Sequence, residues 1–195
     1  VYGFISTNFF SRELLNHQDG EYRNIHYGDI HSKFNSLFDI TKECVPFINP
    51  DVNLSRVHSS QCCAPGDLII ADASEDYADI GKGIEIVNTG GEKILAGLHT
   101  IHARPLNSIL EIGFGGHLLK AEKIRFQIMK IAQGAKVLGI SSTRLGEIKI
   151  PIPDKQEQTK IANFLSAIDK KIIHTQTQIE KAEQWKKGLL QQMFV

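Results

Sequence analysis

The last forty-odd residues constrain this chain more than any other stretch. Stepping alternately four and three residues from Ile161 lands on Ile161, Leu165, Ile168, Ile172, Thr175, Ile179, Ala182, Lys186, Leu189 and Met193, of which all but Thr175 and Lys186 are apolar. A repeat of 3.5 residues sustained this long is a coiled-coil seam. The positions between are mostly Lys, Glu, Gln and Thr, which form a solvated face. The start is also written in the sequence. Pro153 suits the first turn of a helix, Asp154 can cap it, and Glu157 stands where a capping box returns the bond. No proline follows, and Gly188 alone interrupts. Such a helix is roughly 60 Å long at ~1.5 Å per residue. A domain of about 150 residues cannot cover its whole seam. Either the helix lies across its own domain, or it projects and meets a second long helix; the length favours projection.

The segment leading into this helix, Leu145-Gly-Glu-Ile-Lys-Ile-Pro-Ile-Pro-Asp154, runs on through Glu157-Gln158-Thr-Lys-Ile161-Ala162. It resembles the junction in type I restriction–modification specificity (S) subunits. There a strand ending in Pro-x-Pro passes from a target recognition domain into a Glu-Gln-x-x-Ile-Ala helix. The closing Trp185-Lys-Lys-Gly-Leu-Leu-Gln-Gln-Met-Phe194 is similar to the end of that family's second helical region. Further upstream, Gly66-Asp-Leu-Ile-Ile-Ala71, the loop carrying Ile80-Gly-Lys82 and the strand ending in Arg104-Pro105 resemble the recognition domain itself. A complete S subunit has two recognition domains separated by two helices packed antiparallel; this chain resembles half of one.

The resemblance implies a mixed α/β fold over residues 1–150, with a small bent or barrel-like sheet and flanking helices. Residues 151–195 are then a long coiled-coil helix for pairing and subunit docking. The implied function is sequence-specific recognition of double-stranded DNA. The implied partners are methyltransferase subunits and, through them, the restriction subunit. A seam with no partner in its own chain further predicts a homodimer through antiparallel C-terminal helices. The seam residues would be Ile161, Leu165, Ile168, Ile172, Ile179, Ala182, Leu189 and Met193. Two other readings remain at this stage: the recognition end of a fused restriction–methylation enzyme, and a truncated scaffold or inhibitor that pairs with intact S subunits.

Charge distribution bears on the DNA reading. The chain carries 22 Lys and Arg against 22 Asp and Glu, so overall it is neutral. Residues 120–149, however, hold seven basic side chains (Lys120, Lys123, Arg125, Lys130, Lys136, Arg144, Lys149) against Glu122 and Glu147. Such a local excess serves equally as a phosphate-facing patch or a solvated helix face. Base-reading residues are expected on loops carried by a rigid scaffold. The candidates are Ser32 and Lys33 after a strand broken at Gly28; Ser74, Tyr77 and Lys82 in the loop between Asp72 and Gly83; and Lys136, Ser141, Ser142 and Arg144 near the domain's end.

The remaining motifs carry less. His99-Thr-Ile-His102 puts its two imidazoles on opposite faces of a strand, without acidic or cysteine ligands at useful spacing, so no metal is expected. Gly113-Phe-Gly-Gly116 is a partial glycine fingerprint lacking its preceding strand, and its glycines argue against a helix there. Glu147-Ile-Lys149 has the Glu-x-Lys form of some nuclease sites but lies in the strand expected to feed the long helix. Asn49-Pro-Asp-Val52 lacks the second proline and the aromatic of the adenine methyltransferase motif. No catalytic apparatus and no cofactor are expected. Cys44, Cys62 and Cys63 make a poor disulfide framework, which fits a reducing cytoplasm. There is neither a membrane-length apolar run nor a secretory signal pattern.

Overall fold

Strand β6, Leu68–Ala71, is buried along its whole length. Its alternate side chains serve two different cores. Ile69 and Ala71 face one cluster with Ile25, Ile30, Phe38, Ile84, Ile86 and Ile94. Leu68 and Ile70 face another with Phe114, Leu118, Ile124, Ile128 and Ala162. A strand covered on both faces reads as a continuous apolar run, which is why Leu-Ile-Ile-Ala shows no polar alternation.

The computed structural model describes residues 1–194; Val195, the end of the predicted helical segment, lies outside the described residues. In chain order the elements begin with β1 (Tyr2–Ile5), β2 (Leu15–Asn16), β3 (Arg23–Ile25), α1 (Tyr27–Ser32), β4 (Leu37–Asp39) and β5 (Phe47–Ile48). After β6 come β7 (Ala73–Ser74), β8 (Gly83–Asn88), β9 (Ile94–Ala96), β10 (Thr100–Pro105), α2 (Phe114–Leu118), α3 (Glu122–Ile131), β11 (Leu138–Gly139), α4 (Ser142–Leu145) and α5 (Lys155–Met193). A five-stranded sheet has the order β1-β10-β6-β8-β4, a four-stranded sheet the order β2-β5-β3-β9, and β11 pairs with β7 in a two-stranded ribbon. The fold is mixed α/β, as expected. The sheets are open rather than closed into a barrel, because the larger one stops at β1 and at the short parallel strand β4, whose register slips between Phe38 and Asp39.

Several local expectations are corrected. A Gly-Gly pair between two strands is a hairpin signal in sequence, yet Gly90 and Gly91, at φ +59° and +78°, form a turn that closes no hairpin. The strands they join, β8 and β9, lie in different sheets, and β9 pairs in parallel with β3. The glycine-rich Gly113–Gly116 stretch opens helix α2 rather than a loop. Propensity loses here to close approach: a Cβ on Gly116 would sit 2.6 Å from the Ser36 carbonyl oxygen. The amides of Gly113 and Gly116 each donate to the Glu85 carboxylate, at 2.7 Å. Burial pushes the Glu85 carboxyl up to about 7, and these N–H donors only partly offset that. The partial fingerprint is therefore a helix start built around an internal carboxylate. Likewise, among the described residues no strand leads directly into α5. Residues 148–154 carry no regular secondary structure, and the Gln127 side chain bonds the Lys149 N–H at 3.0 Å and its C=O at 2.9 Å. A side-chain amide thus takes the place of a neighbouring strand, which places Glu147 and Lys149 in a structural connection.

Helix α5 begins as its sequence reads. Asp154 accepts from the Glu157 N–H at 2.9 Å; among the described residues the capping bond runs one way only. Gln158 is wholly buried. It accepts from the Glu111 N–H at 2.8 Å and donates to the carbonyls of Ile109 and Pro153, at 3.0 and 2.9 Å. Ala162 is buried near Gly113, Ile161 packs on the helical core, and His117 of α2 meets Ser166 at 3.3 Å. The Glu-Gln-x-x-Ile-Ala motif is thus a docking seal between helix and domain. Beyond it the helix leaves the domain: from Lys170 to Phe194 every residue is exposed except Gly188 and Leu189, which are half-buried. Ile168, Ile172, Ile179, Leu190 and Met193 are all exposed large apolar side chains. At roughly 100° per residue they share one face, about a quarter turn from the face carrying Gln158, Ala162, Ser166 and Asp169. Ile161 and Leu165, the first two seam positions, are half-buried at the base of the helix, so the free stripe starts near Ile168.

Candidate functional site

Three chain segments converge beside the end of β6. The ribbon pairs Ser74 with Leu138 and Ala73 with Gly139, bringing residues 133–144 against the loop after β6. The Ile140 N–H donates to the Asp72 carbonyl at 2.8 Å, which fixes that approach. Gln133 and Gly139 exchange backbone hydrogen bonds at 2.9 and 2.7 Å. The loop they close turns at Gly134, φ +129°, where a Cβ would stand 2.0 Å from the Val137 carbonyl oxygen. Helix α1 joins from the other side: His31 Nε2 lies 3.0 Å from the Ala73 carbonyl, and Lys82 Nζ donates to the His31 carbonyl at 2.7 Å. Between residues 133–144 and the loop after β6 runs an open groove of about 440 Å³ lined by Asp72, Ala73, His99, Gln133, Val137–Ser141 and Arg144.

The candidate contact residues distribute unevenly around it. Ser141 and Arg144 line the groove. Ser141 caps α4 through the Arg144 N–H at 3.3 Å, and Arg144 Nη1 donates to the Ile131 carbonyl at 3.3 Å. Ser142 is half-buried in the first turn of α4. Lys136 is exposed on the Gly134 loop. Ser74 is on β7, its hydroxyl accepting from the Asp76 N–H at 3.0 Å. Ser32 and Lys33 are not in a loop, as the sequence reading had it, but at the end of α1. Ser32 Oγ donates to the Gly28 carbonyl at 2.8 Å, and Lys33 Nζ pairs with buried Asp29 at 2.9 Å. Gly28, read as a strand break, lies inside that helix because His26 caps it, its ring nitrogen accepting from the Gly28 N–H. Tyr77 is exposed but stands outside the groove, and Lys82 faces a separate hollow with Ser36, Asp79, Lys120 and Arg125.

The electrostatics are local. Of the basic excess in 120–149, Arg125 is turned inward onto the carbonyls of Ala78 and Ile80, at 2.9 and 2.6 Å, and pins the loop carrying Tyr77. Lys130 sits over the Phe126 ring at 4.6 Å. Lys120, Lys123, Lys136 and Lys149 are exposed and free of ion pairs among the described residues. Burial raises the Asp29 carboxyl, but Lys33 and Arg12 beside it outweigh burial and hold it below the usual carboxylate range. Asp67 behaves alike: His102 at 2.7 Å and Arg104 at 2.7 Å overcome its burial. That accounts for His102 as a core residue.

His99, whose sequence context suggests at most a metal ligand, also lines the groove. It is the one non-glycine with positive φ, +56°, among the described residues, and its side chain is 52% exposed. A left-handed residue with a Cβ costs roughly 1–2 kcal/mol. Its Nδ1 lies 3.3 Å from Asp72 Oδ1, and its ring meets Tyr27 edge-on at 5.3 Å. Burial raises the Asp72 carboxyl, against the pull of His99. The sequence signal was faint: a histidine just after Gly97-Leu98, where β9 passes into β10 and the chain changes sheets.

Comparison with known proteins agrees with this architecture. A family model described as "Type I restriction modification DNA specificity domain" matches residues 24–184. The putative type I restriction enzyme MjaX specificity subunit of Methanocaldococcus jannaschii is 32% identical over 131 residues, 66% of this chain and 30% of that protein. The S subunit of the type I restriction–modification system from M. genitalium superposes with a TM-score of 0.52 at 17% identity, over 87% of this chain and 37% of its own. The HsdS subunit from Thermoanaerobacter tengcongensis gives 0.52 at 16% identity, over 89% and 36%. At such identities the structural likeness is one of fold. The chain spans about a third of the length of these relatives.

Proposed function

Because the chain belongs to the type I restriction–modification DNA specificity family, we propose that it reads a DNA sequence on behalf of a methylating and restricting complex, as a non-catalytic component. Residues 1–150 are the reading domain, and the segment from residue 151 onward, built on α5, pairs and docks. Most protein–DNA hydrogen bonds fix register on phosphates, and fewer reach base edges. Lys33, Lys120, Lys123 and Lys136 suit the first task. Ser74, Ser141, Ser142, Arg144 and, from their own hollow or loop, Lys82 and Tyr77 suit the second; Ser32 stands beside them.

The observation that carries the reading is helix α5. Its base is sealed to the domain by Gln158 and Ala162, while its outer length bears an uncovered apolar stripe on a different face. A second copy of the chain, packed antiparallel, covers Ile168, Ile172, Ile179, Ala182, Leu189 and Met193 and places two reading domains at opposite ends. Two-fold symmetry then makes the two half-sites inverted copies with an unread spacer between them. Trp185, 71% exposed on the flank of the stripe, is offered to a methyltransferase subunit, through which the restriction subunit is recruited.

Selection from a randomised duplex library, with the full chain and its methyltransferase subunit, tests this. A gapped, inverted two-part motif is the expected result. Enrichment of no motif refutes sequence reading. Arg144→Ala should cost about 1–3 kcal/mol on the selected site if that side chain reads a base.

A further inference from the structure

We infer that His99 is a base-reading residue of the groove, held ready by Asp72 and Tyr27 on a strained backbone. The inference rests on the reading of the chain as a DNA specificity component and names a contact that reading did not assign.

Three independent features of the geometry meet at this residue. The first is strain. His99 adopts φ +56°, a conformation that glycine takes freely and histidine does not. Nothing in the core requires a ring there, since the side chain is half exposed. Strained non-glycine residues persist where the surroundings over-determine them, and they cluster at ligand contacts. The second is orientation. Nδ1 is engaged by Asp72 Oδ1 at 3.3 Å, and the Tyr27 ring abuts the imidazole edge-on at 5.3 Å. A carboxylate on Nδ1 selects the tautomer with its proton there and leaves Nε2 as the ring's remaining polar atom, an acceptor. The third is place. His99 lines the groove together with Gln133, Ser141 and Arg144, on the turn where the chain changes sheets. Its backbone is anchored, because its carbonyl accepts from the Asp72 N–H at 3.1 Å. A fixed acceptor in the same groove as an arginine donor suits a base edge that presents a donor and an acceptor together, such as the exocyclic amine and N7 of adenine.

The test uses the full chain and the duplex selected from a random library as above, with an unrelated duplex of equal length as reference. In His99→Gly the strain is relieved and the ring removed. The melting temperature should hold or rise, while affinity for the selected duplex falls about tenfold and affinity for the unrelated duplex stays the same. His99→Asn keeps a side chain that tolerates the left-handed backbone and should weaken selective binding likewise. Asp72→Asn, which loosens the ring without removing it, should give a smaller loss of the same kind. A lower melting temperature with unchanged selective affinity would make His99 a structural residue and overturn the inference alone. A wild-type chain that prefers no duplex would overturn both this and the function it rests on.

Discussion

Gln158→Ala tests how the helix is held. The side chain is wholly buried and makes three hydrogen bonds, from the Glu111 N–H and to the carbonyls of Ile109 and Pro153. Each is worth about 1 kcal/mol net, and a buried group left unpaired costs about 1–3 kcal/mol. Partial rescue by water entering the space left behind keeps the sum near about 3 kcal/mol. A domain of this size has a stability of about 5–15 kcal/mol, so the loss is a substantial fraction of it. With a urea m-value of about 2–3 kcal/mol/M, the unfolding midpoint followed by circular dichroism should fall by about 1–1.5 M. Gln158→Leu preserves volume but leaves all three backbone groups unpaired, so it should be no better than alanine. Gln156→Ala, exposed on the same turn, should stay within about 0.5 kcal/mol of the parent. A Gln158→Ala loss no larger than that of Gln156→Ala would refute the docking seal.

Three further outcomes follow from the same structure. Gly116→Ala drives a methyl against the Ser36 carbonyl, the Leu37 side chain and the Glu85 Cβ, and should destabilise by about 1–3 kcal/mol in thermal or urea unfolding. Ile172→Lys and Ile179→Lys change exposed positions of the single chain, so monomer stability should move by less than about 0.5 kcal/mol while self-association is lost on a sizing column. Glu85, raised by burial from 4.5 to about 7, holds its proton in the folded chain where the unfolded chain has released it. Its linkage term therefore favours folding below pH 4.5 and declines as pH rises to about 7, by roughly 3 kcal/mol in all. Glu85→Gln does not titrate, so the stability of wild type relative to this variant should drop between pH 5 and pH 8 in urea titrations; a flat difference would contradict the buried carboxylate.

Much of this was readable from residue patterns. The heptad spacing, Asp154 and Pro153 located the long helix to within a residue or two, because periodicity and capping are local properties. Leu68–Ala71 is a continuous apolar run between polar residues, a pattern that fits a strand covered on both faces. What escaped the sequence depended on partners distant along the chain. Gly113 caps α2 at φ +92°, while Tyr2 crowds Gly115 and the Ser36 carbonyl crowds Gly116, so this helix start depends on close approaches that propensity does not register. The expected strand at 147–150 yielded to a ladder made by one glutamine side chain, which no strand pattern encodes. The candidate residues are a mixed set. Ser141 and Arg144 sit in the groove, but basic residues look alike in sequence whether they face solvent or, like Arg125, bind carbonyls inside. His99 could not be found from composition, since its distinction is a backbone angle.

The account turns on whether the outer length of α5 is covered by another helix of its kind. Sedimentation equilibrium of the full chain across micromolar concentrations measures this directly. A species of twice the 21.8 kDa chain mass, reverting to monomer in Ile172→Lys and Ile179→Lys, is the predicted result. A wild-type chain that sediments as monomer throughout would contradict it.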